Sequence, residues 1–208
     1  MLRLLGLLHG RFVHARRVRV IAEALAPWLP ADGIVIDVGA GDGAVAAHLL
    51  ARRPGLRIEG YDVMARENAA IPIHAFDGRR LPLGDRSVDA VILVDVLHHC
   101  DSPADMLKEA LRVSRGLVLI KDHRLGYPGA GTLLAAMDWV GNRPHGVVLP
   151  YNYWHERQWR AVWQAMGLRP IHYRSRLGLY PFPLSLLFDT GLHFAAALER
   201  TPRSESRA

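Results

Sequence analysis

The stretch Ile36-Asp-Val-Gly-Ala-Gly-Asp-Gly43 is the part of this sequence best suited to holding a ligand. Gly39 and Gly41 let the backbone turn tightly and approach a bound molecule with no Cβ in the way. The spacing is G-x-G-x-G, which differs from the G-x-G-x-x-G that seats a dinucleotide pyrophosphate at a helix N-terminus. Asp37, two residues before the first glycine, would repel a pyrophosphate and attract a cationic amino-acid group. More acids follow along the chain: Asp62, then Asp77 with Gly78 beside it, then Asp95. Asp62 stands about 20 residues past the loop. Any one of these acids is also compatible with a turn or a helix cap.

Histidines supply the second kind of chemistry. His98, His99, His123, His145 and His155 lie near predicted strand ends or in the aromatic-rich stretch beyond them. An imidazole titrates near neutrality and can take a proton from an attacking oxygen or carbon. His123 and His145 are the catalytic candidates; Asp122 is placed to orient His123, and a polar turn residue is the alternative reading of that position. The pair His98-His99 reads as structural or as facing a cofactor. No trio of His, Cys and carboxylate shows ligand spacing along the chain, so no metal site is expected.

The elements that must position these groups follow from periodicity. Val18, Ile21, Ala22 and Leu25 give Arg16–Ala26 one apolar helical face, and Pro27 and Pro30 end it. Ile34–Val38 is a β-branched apolar run, the pattern of a buried parallel strand. A helix from the glycine loop to about Arg53 stops at Pro54-Gly55. Further strands are expected at Leu56–Tyr61, Ile71–Phe76, Val88–Val94 and Leu117–Ile120. Ser102-Pro-Ala-Asp105 reads as a capped helix start. Helices at Thr132–Val140 and around Trp159–Met166 follow, then strands at Leu168–Arg174 and Leu192–Leu198. Alternating β and α elements predict an α/β, Rossmann-like open sheet, mostly parallel, with helices on both faces and the last strand antiparallel. Ligands of such sheets bind at the carboxyl ends of the strands, where the acids and histidines collect.

Taken in order, these motifs resemble the class I methyltransferases that use S-adenosyl-L-methionine (SAM), in particular the small-molecule, quinone-biosynthesis-like branch. The resemblance covers roughly Ile34–His123 and includes the run Leu81-Pro-Leu-Gly-Asp-Arg-Ser-Val-Asp-Ala-Val-Ile. It implies that Asp37, Gly39, Ala40, Gly41 and Gly43 line the methionine part of SAM. It implies further that Asp62 and Val63 meet the ribose, Asp77 and Gly78 the adenine, and Asp95 and Val96 the methionine end through their backbone. The implied reaction is methyl transfer to a small, apolar or aromatic metabolite, leaving S-adenosyl-L-homocysteine. One departure stands out: only the nine residues 62–70 separate Tyr61 from Ile71, too few for the usual crossover helix.

Composition sets the outer limits. The chain has 208 residues, 50% hydrophobic and 22% charged, enough for one domain with a full core. We expect a helical lid segment over 1–30, a methyltransferase domain over 31–200 with a substrate-side insert at about 124–154, and a frayed tail over 201–208. Aromatic, Asn and His residues at Met137–Gly146 and Leu149–His155 suit a mostly apolar acceptor pocket. The single cysteine and the absence of a membrane-length apolar run suit a cytoplasmic protein, with peripheral membrane contact through Leu2–Leu8 as the minor alternative. The net charge of +6 is carried almost wholly by scattered arginines, which fits base composition better than an anionic partner. Asp95-Val-Leu-His lacks the Pro-Pro-aromatic signature of DNA amino-methyltransferases, so no DNA partner is expected. An RNA methyltransferase, a SAM-binding regulator or scaffold without activity, and a dehydrogenase are the competing readings; oligomeric state is not specified.

Overall fold

Apolar residues fall on both sides of the central strands, so each strand must be covered by helices on two faces. Ile36, Val38, Val91, Leu93, Val118 and Ile120 pack into one core layer with Leu107, Trp159 and Trp163. Val35, Ala90, Ile92 and Leu119 pack into the other, with Ile21, Leu25 and Leu49. Successive residues of one strand alternate between the two layers, the two-residue period of a pleated strand. The structure is a computed structural model that describes residues 2–64, 66, 68–142 and 150–201.

In chain order the elements are α1 (Leu2–Leu25), β1 (Asp32–Val38), α2 (Ala44–Arg52), β2 (Gly55–Asp62), β3 (Ile73–Ala75), β4 (Val88–Val94), α3 (Pro103–Val113), β5 (Ser114–His123), α4 (Ala130–Asn142), α5 (Glu156–Ala165), β6 (Leu168–Arg174), α6 (Ser185–Phe188) and β7 (His193–Arg200). The seven strands form one sheet in the order β3-β2-β1-β4-β5-β7-β6. Strands β1 to β5 run parallel, and β7 runs antiparallel to both β5 and β6. The order reverses direction between β1 and β4, the switch point at which open α/β sheets bind ligands. Register places the ends of β1, β2, β4 and β5 along one edge: Val38 faces Tyr61 and Leu93, and Val94 faces Lys121.

Two expectations change. The third strand is only Ile73–Ala75, because the short 62–70 connection carries no helix among its described residues and delivers the chain to the sheet late. Strand β5 does not stop at Ile120 but continues through Lys121, Asp122 and His123, since β7 pairs with it to the end, His123 opposite His193. Helix α3 starts as read: the Ser102 hydroxyl accepts the Asp105 N–H at 3.3 Å, and Pro103 occupies the first turn. No helix among the described residues is long and apolar enough to cross a membrane.

Trp159 locks α5 to the sheet. It is 2% exposed, its indole N–H donates to the His123 carbonyl at 3.2 Å, and its ring meets Phe194 edge-on. Trp159→Ala should therefore destabilise the protein by about 3–5 kcal/mol, and Leu187→Ala, at an exposed position, by less than about 0.5 kcal/mol. Denaturant unfolding of the two variants checks the contrast.

Candidate active site

The chain leaving β1 forms a cradle of backbone. Gly39, Gly41 and Gly43 all take positive φ, at 73°, 60° and 72°. Gly39 donates its N–H to the Tyr61 carbonyl at 2.7 Å and Gly43 to the Ala40 carbonyl at 2.8 Å, which fixes the loop across the ends of β1 and β2. A Cβ on Gly39 would overlap a methyl of Val96, and one on Gly43 would lie 2.7 Å from Ile71 Cγ1. These glycines thus combine a left-handed backbone with close approach. Asp62 ends β2 and accepts the Gly41 N–H at 2.8 Å and the Met64 N–H at 2.9 Å. Asp77 is exposed and accepts the Arg79 and Arg80 N–H groups in a side-chain turn. Gly78 follows in the left-handed region, its Cα facing Val63. Gly78 also lines a cleft of about 420 Å³ with Cys100, Ser102 and Met106.

Asp37 is almost fully buried behind this loop. Burial first, then the charges of Asp62 and Asp42, push its carboxyl up to about 7. The loop side of the sheet edge therefore carries a carboxyl whose ionisation falls near neutrality and is favoured by a neighbouring cation.

The ends of β4 and β5 hold a second, different cluster. Asp95 takes φ 55°, a left-handed conformation that Asp tolerates better than most residues. Its carboxylate pairs with Lys121 and, at 3.0 Å, with Arg17 of α1. Burial opposes its ionisation, but Lys121, His123 and Arg17 outweigh burial and hold it well below the usual carboxylate range. Asp122 is fully buried on the other face of β5. It accepts the Leu97 N–H at 3.0 Å and the His123 N–H at 2.6 Å, and pairs with His98 Nδ1 at 2.6 Å. His98 Nε2 faces Asp138 of α4 at 3.3 Å. Burial disfavours charge on this ring, but Asp122 and Asp138 together raise it to about 10. His123 is 3% exposed, with Nδ1 3.3 Å from His98 Nδ1. Burial first, then the charge on His98, holds His123 below the usual histidine range. Tyr153 donates its hydroxyl to Asp138 and packs against the rings of His98 and His123. His193 completes the group at 4.8 Å from the His123 ring, depressed by burial and by Lys121.

Each residue singled out in the sequence has a definite place. Asp37, Gly39, Ala40, Gly41, Gly43 and Asp62 converge at the loop, with Val96 pressed against Gly39. Gly78 lies against Val63, and Asp77 is exposed beside it. His123 belongs to the buried cluster, whereas His155 opens α5 at the surface and His145 lies outside the described residues. Asp122 pairs with the ring of His98 at 2.6 Å and also lies 3.7 Å from Nδ1 of His123. The reading from sequence missed Arg17, Lys121, Asp138, Tyr153 and His193 as partners. Lys121 did carry a signal, being one of two lysines and standing at the end of an apolar run. Asp138 and Tyr153 gave none beyond their place in an aromatic-rich insert.

Backbone cradle, buried Asp37 and strand-end Asp62 suit a ligand with a cationic amino-acid part and a ribose. A model of the family described as methyltransferase domain matches residues 9–173, well over half of the chain. Among solved structures, 1,6-didemethyltoxoflavin-N1-methyltransferase of Burkholderia thailandensis, with bound 1,6-didemethyltoxoflavin and S-adenosylhomocysteine, is similar at 18% identity and TM-score 0.63, over 89% of this chain and 78% of that one. A SAM-dependent methyltransferase of Thermotoga maritima gives 17% identity and TM-score 0.65 over 93% and 95% of the two chains. A chain from a complex with the Haloferax volcanii Trm112 methyltransferase activator gives 16% identity and TM-score 0.66 over 93% and 94%. No curated protein sequence matches this chain. At these identities the solved structures speak for the fold, while the family match reaches from α1 through the glycine loop to β6, and together they identify the chain as a member of the methyltransferase-domain family, a SAM-dependent methyltransferase.

Proposed function

We propose that this enzyme methylates a small, apolar or aromatic metabolite held over the ends of β4 and β5, with His123 as the base. The observation that carries this reading is the enclosure of the histidine cluster. His123 and His193 are buried beneath Tyr153 and Tyr180, and Arg17 of α1 reaches both Tyr180 and Asp95. A site of this kind admits a small molecule that enters it, whereas a macromolecule docks on a surface. Segment 1–30 serves as a lid, because Arg16 donates to the Gly178 carbonyl at 3.0 Å and joins α1 to the stretch before α6. Exposed Trp139, Tyr151, Phe182 and Leu186 supply apolar surface near that stretch and the insert.

In this reading Asp37, Gly39, Ala40, Gly41, Gly43, Asp62, Val63, Asp77, Gly78, Asp95 and Val96 form the cofactor side. Bound SAM supplies a methyl group activated by its sulfonium. The loop amides and Asp62 orient the ligand, and Asp37 balances its positive charge. The residues over the ends of β4 and β5 would hold the acceptor near attack distance, about 3–3.5 Å, of the transferred group. His123, neutral at physiological pH, takes the acceptor proton, and the neighbouring Asp95 keeps a charge of opposite sign near the imidazolium at 3.8 Å. An RNA acceptor is the second reading. It is favoured by Arg124, Arg174 and Arg176, which line an open groove of about 760 Å³ beside the same sheet edge.

Three results are expected. Gly39→Val and Asp62→Ala should each weaken S-adenosylhomocysteine binding about tenfold or more in calorimetry; full affinity in both would remove the loop assignment. A folded-state carboxyl raised to about 7 stabilises the unliganded protein most at low pH, and that contribution fades as pH rises through its raised value. A cationic ligand favours the ionised form, so SAM affinity should rise with pH up to about 7 and level off above it, and Asp37→Asn should flatten the profile. Finally, His123→Asn should lower methyl transfer to a small-molecule extract by about 100-fold or more without changing cofactor affinity. Transfer at the parent rate would exclude His123 as the base.

A further inference from the structure

His98 is held between two carboxylates, and its two ring nitrogens have different surroundings. Nδ1 faces Asp122 at 2.6 Å, and Asp122 is also engaged by the Leu97 and His123 amides. Nε2 is buried and lies 3.3 Å from Asp138 Oδ2, yet it makes no hydrogen bond of good geometry. The adjacent His99 has a buried Nδ1 with no hydrogen-bond partner among the described residues. A buried ring nitrogen left unmatched is costly, as His99 Nδ1 is, and an ion shared with His98 Nε2 and Asp138 would satisfy it. One ring nitrogen of each histidine and a carboxylate oxygen of Asp138 lie within 4.8 Å of one another.

Two imidazoles and one carboxylate form a donor set for a borderline-soft divalent ion, whereas magnesium and calcium prefer oxygen. Ligand atoms ~2.0–2.1 Å from a tetrahedral ion stand ~3.3 Å apart. His98 Nε2 and Asp138 Oδ2 already have that separation, at 3.3 Å. The outer partners fit as well. A carboxylate on the far nitrogen of a ligating histidine fixes its ring and tautomer, and a hydrogen bond to a ligating carboxylate fixes its rotamer. Asp122 and the Tyr153 hydroxyl occupy those two positions. A second trio, His98, Asp122 and His123, also lies within 4.8 Å, but the three contacts on Asp122 leave its carboxylate a poor ligand.

We propose that His98, His99 and Asp138 form a binding site for one divalent transition-metal ion of the zinc class, with Asp122 and Tyr153 as its outer supports. This departs from the expectation of no metal drawn from linear spacing; the trio forms only when α4 packs against the turn after β4. A three-ligand site keeps a coordination position open. Its use to hold a heteroatom of the acceptor rests on the acceptor-site reading above; the site itself does not.

The test titrates the chelator-stripped full chain with Zn²⁺, and with Co²⁺ as a spectroscopic probe, and measures S-adenosylhomocysteine affinity on the same samples. One ion per chain is expected, with a Co²⁺ spectrum of low coordination number. His99→Ala and Asp138→Asn should each weaken binding about tenfold or more, and His155→Ala should leave it unchanged. Tyr153→Phe should have an intermediate effect. If Asp138→Asn does not fold, the half-buried His99 carries the test, with thermal unfolding as the check on structure. Absence of binding, or binding that His99→Ala and Asp138→Asn leave intact, overturns the proposal. A chain that binds S-adenosylhomocysteine but no metal loses the metal site and keeps the methyl-transfer reading.

Discussion

Asp122 ties the two halves of the site together. Its buried carboxylate accepts the Leu97 and His123 amides and the His98 ring, so it clamps the turn after β4 onto the last residues of β5. That turn begins at Val96, whose side chain fills the space a Cβ on Gly39 would need. The same turn ends by presenting His98 to Asp138. Removing one partner of a buried pair leaves an uncompensated charge, a loss of about 3–5 kcal/mol. The position of the turn is therefore determined by electrostatics as well as by packing, and both the glycine loop and the histidine cluster inherit it.

The sheet edge divides by charge. On the β1–β2 side, Asp62 holds a loop amide and buried Asp37 has no cationic partner among the described residues, an arrangement that suits a ligand bringing positive charge. On the β4–β5 side, acids and bases are matched with one another: Asp95 with Lys121 and Arg17, Asp122 and Asp138 with His98. Internal matching permits this many ionisable groups to be buried in so small a volume. It also leaves His123 neutral beside them, poised between a charged ring and two carboxylates.

Much of the fold was legible because short apolar runs rich in β-branched residues, such as that at 90–94, suit strands covered on both faces. The β1 loop was legible because glycine spacing is a local property. Strand β3 was overestimated, since sequence pattern does not reveal how late a short connection delivers the chain. The end of β5 was underestimated because polar Lys121, Asp122 and His123 look like a turn until β7 is seen to pair with them. The histidine cluster was largely hidden for one physical reason. Arg17, His98, His123, Asp138, Tyr153 and His193 come from separate segments, and no linear spacing records their meeting.

The central claim is that this site transfers the methyl group of SAM to a small molecule. Its most direct measurement is the fate of methyl-labelled SAM incubated with the enzyme and a cell extract, with the products separated by size and polarity. The account predicts label in a low-molecular-mass, apolar or aromatic product, lost when Gly39 is replaced by Val. Label confined to RNA or protein, or no transfer to any fraction by an enzyme that binds SAM, would contradict it.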